Sequence, residues 1–162
     1  MKKFIALLIS LLVSAVAMAQ PESPVKWSVS AVETDATTYE VRLTADIDQG
    51  WHIYDFGPYA EDLYISTTEI TIDGAEKIGS ITPSKAPHRA YDDVYEAEIG
   101  TWEGKVVFTQ KVKAAAEPKT VSIDVFYGAC NDQNCIPPKS EQLSVKIGAA
   151  KGAEEQVTPA ED

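Results

Sequence analysis

The stretch Tyr39-Glu-Val-Arg-Leu-Thr-Ala-Asp-Ile47 alternates apolar and polar residues over its whole length. In an extended chain successive side chains point to opposite faces, so this stretch has one apolar face and one polar face. It therefore predicts a β-strand with one side packed on a core and the other side in solvent.

The same pattern extends in both directions along the chain. On the N-terminal side, Val25, Trp27, Val29 and Ala31 alternate with polar residues. On the C-terminal side, an Asp48-Gln49-Gly50 turn signal precedes a short strand predicted at residues 51–55. Further strands are predicted at residues 63–72, 76–81, 94–99, 105–112, 120–129 and 142–147.

No long stretch shows the 3.6-residue periodicity of an amphipathic helix. Pro83 and Pro87 predict an irregular segment between them, because proline removes a backbone donor and restricts the residue before it. About seven to nine short strands separated by turn signals favour a two-sheet antiparallel sandwich over a helical or α/β domain. The predicted fold class is therefore all-β.

The two ends of the chain differ in composition from the part between them. Lys2 and Lys3 precede an apolar run at residues 4–16 and a small-x-small motif, Ala17-Met18-Ala19. This pattern predicts a signal peptide at residues 1–19, since the apolar run is short for a retained membrane anchor. Residues 20–148 are predicted to form one domain without a membrane span, and residues 149–162 a disordered acidic tail.

The sequence is strongly acidic. It has 14 basic and 25 acidic residues, a net charge of −11, and removal of residues 1–19 would leave 12 basic residues and a charge of −13. Such a surface repels phosphates, so we expect no nucleic-acid partner. Arg42 and Arg89 are the only arginines, too few for a clustered phosphate site.

Both cysteines lie in one stretch, Gly128-Ala-Cys-Asn-Asp-Gln-Asn-Cys-Ile-Pro-Pro138. A hairpin of this length brings its flanks close enough for Cys130 and Cys135 to bond, and in an exported protein the bond is the default. A ring this small stabilises a fold by only about 2 kcal/mol, which makes a mainly stabilising role less attractive. The spacing alone leaves a redox-active pair and a small structural disulfide as equal alternatives.

A metal site is a weaker alternative. Two cysteines can begin a zinc site, but His52 and His88 lie far apart in the sequence and do not form the usual paired-histidine half. We therefore expect neither a metal nor a cofactor. Asp132 places a negative charge between the cysteines, which disfavours a nearby thiolate, so the pair is expected to depend on docking for fast exchange.

Three motifs together point to a known family. Tyr127-Gly-Ala-Cys130, Cys135-Ile-Pro-Pro138 and Gly50-Trp-His-Ile-Tyr54 resemble the N-terminal periplasmic domain of the disulfide reductase DsbD, also called the disulfide bond corrector domain. The similarity extends over residues 25–147. It implies an immunoglobulin-like antiparallel β-sandwich with a small inserted subdomain formed by the cysteine hairpin and a cap.

The resemblance also implies a function. Cys130 and Cys135 would be a redox pair that receives electrons from a membrane-embedded thiol donor and passes them to periplasmic thioredoxin-fold proteins, such as disulfide isomerases or cytochrome c maturation factors. It further implies that Cys130 is the cysteine that bonds to partners. The best-known members have one more residue between the cysteines and are fused to further domains, so we expect this chain to take electrons from a separate protein.

The family places aromatic residues and a mobile cap loop beside its disulfide. His52 and Tyr54 match the aromatic strand, where they share one face. The cap would correspond to residues 90–96, although the family's shielding ring falls near Asp93 or Val94, so either a neighbouring tyrosine replaces it or there is no cap. The candidate cap residues are Tyr91, Asp92, Asp93 and Tyr95.

Two functional hypotheses follow. The first is a periplasmic thiol:disulfide relay that works through Cys130 and Cys135. The second is an exported β-sandwich binding module without catalytic activity, in which the same disulfide only fixes a recognition loop. The reduction potential of the pair distinguishes them, because structural disulfides lie well below about −300 mV.

Overall fold

The computed structural model describes residues 23–114 and 117–148. Its strands in chain order are β1 (Val25–Asp35), β2 (Thr38–Ile47), β3 (His52–Tyr54), β4 (Glu69–Asp73), β5 (Lys77–Pro83), β6 (His88–Asp92), β7 (Ala97–Glu103), β8 (Lys105–Lys113), β9 (Lys119–Cys130) and β10 (Cys135–Ile147). A single 3-10 turn at Glu61–Leu63 lies between β3 and β4. Within the described ranges no helix is long and apolar enough to cross a membrane. The predicted signal peptide and tail lie outside these ranges.

The strands form two sheets of antiparallel pairs. The first sheet has the order β1-β2-β8-β5 and the second the order β10-β9-β3-β7-β6, with β4 also paired to β9. Along one edge, β9 pairs with β4 through residues 122–126 and then with β3 through residues 129–130. The predicted all-β antiparallel sandwich is confirmed, and β9 directs its last residue, Cys130, to the end of β3.

The core lies between the two sheets. On β2, Val41, Leu43 and Ala45 are completely buried, as the alternation of this strand predicts. Burying these side chains removes apolar surface from water, which stabilises the fold by about 25 cal/mol for each Å² buried. The alternating pattern therefore fixes which face of the first sheet meets the second.

Aromatic rings fill the centre of the core. Phe108 on β8 contacts Trp102 on β7, with ring centroids 5.0 Å apart, and Trp27 on β1 packs edge-on against Tyr127 on β9 at 5.3 Å. Trp27 and Trp102 are 3% and 2% exposed, so both belong to the core. The rings join the two sheets, because each pair has one member on either sheet.

The predicted strand bounds differ from the structure in several places. Residues 88–92 form β6, where the sequence predicts no strand, and β7 begins at Ala97 instead of residue 94. The last strand, β10, begins at Cys135 instead of residue 142. Of the strand predicted at 63–72, only the end is extended, since β4 begins at Glu69. β6 is an edge strand of the second sheet and its residues are mostly exposed, so it has no apolar alternation to detect.

Candidate functional site

The two cysteines close a short hairpin between β9 and β10. The backbone N–H of Asn131 donates to the carbonyl of Asn134 at 2.8 Å, and the side-chain oxygen of Asn131 accepts from the backbone N–H groups of Gln133 and Asn134. Cys130 and Cys135 are therefore cross-strand partners, and their sulfurs are joined in a disulfide of 2.07 Å. Asn131 organises the turn because its side chain satisfies donors that the turn leaves free.

The two cysteines differ in exposure. Cys130 is only 6% exposed, whereas Cys135 is an exposed residue. Cys130 is buried in a small group of side chains, which we call the Cys130 cluster and which is separate from the main core: Tyr54, Tyr59, Ile65, Tyr95, Ala97, Ile99 and Cys130. The hairpin end that carries the disulfide is thus exposed at Cys135 and buried at Cys130.

Tyr54 contacts the buried cysteine directly. Its hydroxyl donates to the Sγ atom of Cys130 at 3.2 Å. Burial raises the pKa of Tyr54 well above its ordinary value, and the nearby Tyr95 hydroxyl and Asp92 carboxylate raise it further. Tyr54 therefore stays protonated at neutral pH and remains a hydrogen-bond donor to the sulfur.

His52 is the first residue of β3. It is opposite Cys130 in the strand register, and its ring packs edge-on against Tyr54 with centroids 5.4 Å apart. Burial lowers the pKa of His52, although the carboxylates of Glu103, Asp132 and Asp92 oppose the shift. The structure thus places both His52 and Tyr54 beside the cysteines.

The candidate cap is the hairpin of β6 and β7. Its turn is held by Asp92, whose carboxylate accepts from the backbone N–H groups of Val94 and Tyr95 at 2.8 and 3.0 Å. The Tyr95 ring lies edge-on to Tyr54, with centroids 6.2 Å apart, and belongs to the Cys130 cluster. Tyr91 is 66% exposed and Asp93 is also exposed, so neither belongs to that cluster.

A buried polar network lies directly behind this site and was not found in the sequence. Asp55 is 2% exposed and forms an ion pair of 2.5 Å with Arg89. Its carboxylate also accepts from the Tyr59 hydroxyl and the Gly57 backbone, and the Tyr59 oxygen accepts from the backbone N–H of Gly100. The network thus joins Asp55, the residue after β3, to β6 through Arg89 and to β7 through Gly100.

Beyond Cys135, the pairing of β10 with β9 is interrupted. The register shifts between Ile136 and Lys139, where Pro137 and Pro138 lack backbone donors. Both prolines are exposed and line an open groove with the half-buried Trp51. The groove begins at the residues that flank the exposed cysteine.

The described residues contain no group of three or more His, Cys, Asp or Glu side chains that could hold a metal ion. The Tyr54 hydroxyl contacts the Cys130 sulfur, and His52 lies opposite Cys130 in the strand register. The fold and the site together define an antiparallel β-sandwich that carries a half-buried disulfide at the end of one hairpin, with aromatic side chains packed against the buried sulfur.

Comparison with known proteins identifies the family. Residues 18–147 match the N-terminal domain of the thiol:disulfide interchange protein DsbD, and the chain belongs to this family. A curated relative, thiol:disulfide interchange protein DsbD of Ralstonia nicotianae, is 30% identical over 125 residues, which are 76% of this chain and 18% of the relative. The chain thus spans about a fifth of the length of that relative.

Solved structures show the same fold. The reduced N-terminal domain of DsbD from Neisseria meningitidis superposes with a TM-score of 0.54 at 16% identity, covering 88% of this chain and 96% of that one. The DsbD N-terminal domain in a complex with the PilB N-terminal domain, also from Neisseria meningitidis, gives a TM-score of 0.59 at 16% identity, with 88% and 94% covered. The predicted immunoglobulin-like sandwich is confirmed.

Proposed function

We propose that this chain carries reducing equivalents in the periplasm by reversible opening of its Cys130–Cys135 disulfide. Electrons would come from a membrane-embedded thiol protein and leave to thioredoxin-fold proteins, including disulfide isomerases or cytochrome c maturation factors. Membership of the DsbD N-terminal family and the complex between a related domain and PilB support this class of function. The observation that carries the proposal is the hydrogen bond from Tyr54 to the buried sulfur of Cys130.

The unequal exposure of the two sulfurs suggests an order of events. A donor thiolate attacks the Sγ atom of Cys135, the exposed residue, and the disulfide breaks. Cys130 leaves as a thiolate that accepts the Tyr54 hydrogen bond, and the donor is joined to Cys135 in a mixed disulfide. The second thiolate of the donor then attacks its own bonded sulfur and releases Cys135, so two electrons have entered the chain.

Transfer to the acceptor uses the same atoms in reverse. The Cys135 thiolate attacks the acceptor disulfide and releases one acceptor thiolate. The Cys130 thiolate then attacks the sulfur of Cys135, which reforms the internal disulfide and releases the second acceptor thiolate. Two protons from solvent complete the acceptor dithiol, and the chain returns to the oxidised state of the structure.

This order differs from the one that the family resemblance implied, in which Cys130 bonds to partners. The exposure of Cys135 and the 6% exposure of Cys130 support Cys135 as the bonding cysteine. Trapping experiments test the choice. Cys130→Ala should accumulate mixed disulfides through Cys135 with an oxidised thioredoxin-fold protein, because the Cys135 thiolate attacks the acceptor disulfide and no Cys130 thiolate is left to release it. Cys135→Ala should accumulate few; the opposite result would return the role to Cys130.

The reduction potential tests the function itself. Equilibration of the wild-type chain with dithiothreitol buffers should give a value near those of thioredoxin-fold proteins, roughly −270 to −120 mV. A potential well below about −300 mV would support the alternative of a binding module with a structural disulfide. Electron transfer from a reduced donor, followed by thiol alkylation, measures the activity directly.

A further inference from the structure

Arg89, Gly100 and Asp55 form a row across three neighbouring strands. Arg89 on β6 is directly opposite Gly100 on β7, and the backbone N–H of Asp55, just after β3, donates to the carbonyl of Gly100 at 2.9 Å. Residues directly opposite each other in a sheet have their side chains on one face. The Arg89 side chain therefore crosses over Gly100 to reach the Asp55 carboxylate on the far side.

Gly100 leaves the space that this crossing needs. A Cβ atom added at Gly100 would collide with the carboxylate of Asp55. The backbone of Gly100 is also used, because its N–H donates to the Tyr59 hydroxyl, which in turn donates to Asp55. The Asp55–Arg89 ion pair thus links two strand segments across β7. The pair of Arg42 with Glu40 differs, because its partners are two residues apart on the same strand, β2.

The ion pair lies where the pairing of β7 with β3 ends. β3 pairs with β7 only at three residues of β7, 101–103. Beyond Gly100, whose carbonyl accepts from the backbone of Asp55, β7 pairs only with β6, so this end of the hairpin extends beyond β3. At its far end, Tyr95 contacts the Cys130 cluster.

We infer that the Asp55–Arg89 ion pair positions the β6–β7 hairpin so that Tyr95 covers the buried sulfur of Cys130. Arg89 and Asp55 are positioning residues, since neither belongs to the cluster around the sulfur. The inference deepens the proposed exchange function and rests on it for its role in the cell. Release of the ion pair lets the hairpin move away from β3 and exposes Cys130 to thiols that the closed hairpin excludes.

The test measures access to Cys130 without any protein partner. In a Cys135→Ala background, Cys130 is the single thiol, and its rate of reaction with the small reagent 5,5′-dithiobis(2-nitrobenzoate) reports how often the cover opens. Arg89→Gln should raise this rate roughly tenfold, the change expected when a hydrogen bond to a charged group is lost. Arg42→Gln is the matched control and should leave the rate within about twofold, as expected for an exposed ion pair.

Asp55→Asn provides a second variant in case Arg89→Gln fails to fold. The amide oxygen can still accept from Gly57 and Tyr59, no buried charge is left unpaired, and the 45% exposed Arg89 side chain can be hydrated. This variant should also speed the reaction. Urea unfolding of each variant shows whether the increase exceeds what a change in global stability would produce.

A double-mutant cycle separates positioning from a general loss of stability. Tyr95→Ala removes the cover and should itself speed the reaction of Cys130. If Arg89 acts through Tyr95, then Arg89→Gln should add little in the Tyr95→Ala background. Independent, multiplicative effects of the two substitutions, or wild-type rates in both Arg89→Gln and Asp55→Asn, would overturn the inference. Because the reagent needs no partner, these results do not depend on whether the chain exchanges electrons with thioredoxin-fold proteins.

Discussion

Replacing Tyr54 with phenylalanine removes the hydroxyl that donates to the buried sulfur. The ring is kept, so the edge-on contacts with His52 and Tyr95 remain. In the oxidised protein the loss costs little, because a sulfur is a weak acceptor. It matters when the disulfide opens and Cys130 becomes a thiolate, since the hydrogen bond is then made to a charged group.

The size of the effect follows from the burial of the site. Tyr54 and Cys130 are both 6% exposed, so water has little access to replace the lost donor. A hydrogen bond to a charged group contributes about 1.5–3 kcal/mol. If about half of the charge has developed on the sulfur at the transition state, the barrier rises by about 1 kcal/mol and reduction slows roughly fivefold.

The assay is the rate of reduction of the oxidised chain by dithiothreitol, with samples quenched in acid and labelled with a thiol-reactive polymer for gel analysis. Tyr39→Phe is the control, because the Tyr39 hydroxyl lies 3.4 Å from Glu33 on the first sheet, away from the cysteines. Reduction of Tyr54→Phe at the wild-type rate, or an equal slowing in Tyr39→Phe, would refute the reasoning.

Three further predictions concern stability. Gly100→Ala should lower the free energy of unfolding by about 3 kcal/mol or more, since its Cβ meets the buried Asp55 carboxylate; equal urea midpoints for variant and wild type would contradict this. Phe108→Ala should cost about 3–5 kcal/mol by leaving a cavity among the core rings, measurable by thermal and urea unfolding. His52 should titrate by NMR with a pKa below 6.5, because its charged form is disfavoured by burial. Its stabilising contribution relative to His52→Gln is then present above pH 6.5 and is lost as the pH falls through the folded-state pKa.

Local sequence patterns predict the main strands and the cysteine pair of the site. The alternation at residues 39–47 predicts β2 and its buried face, and the spacing of Cys130 and Cys135 predicts a hairpin disulfide. Strand periodicity also places His52 and Tyr54 on one face. These features depend on neighbours in the sequence, which is why the sequence is sufficient to predict them.

The remaining features depend on contacts between distant residues. Asp55 and Arg89 are 34 residues apart, and no local pattern indicates that they meet across Gly100. Tyr95 joins the Cys130 cluster only because β6 and β7 form a hairpin. Since β6 has mostly exposed side chains, the sequence did not predict that hairpin.

The two prolines after Cys135 have a consequence for self-association. β10 is an edge strand of the second sheet, and an unpaired edge can recruit a strand from another copy and begin an aggregate. Pro137 and Pro138 remove the hydrogen-bond donors of two consecutive residues, so a strand added at this end would find gaps in its ladder. The protein can therefore leave Cys135 open to a partner thiol while making the adjacent backbone a poor template for fibril growth.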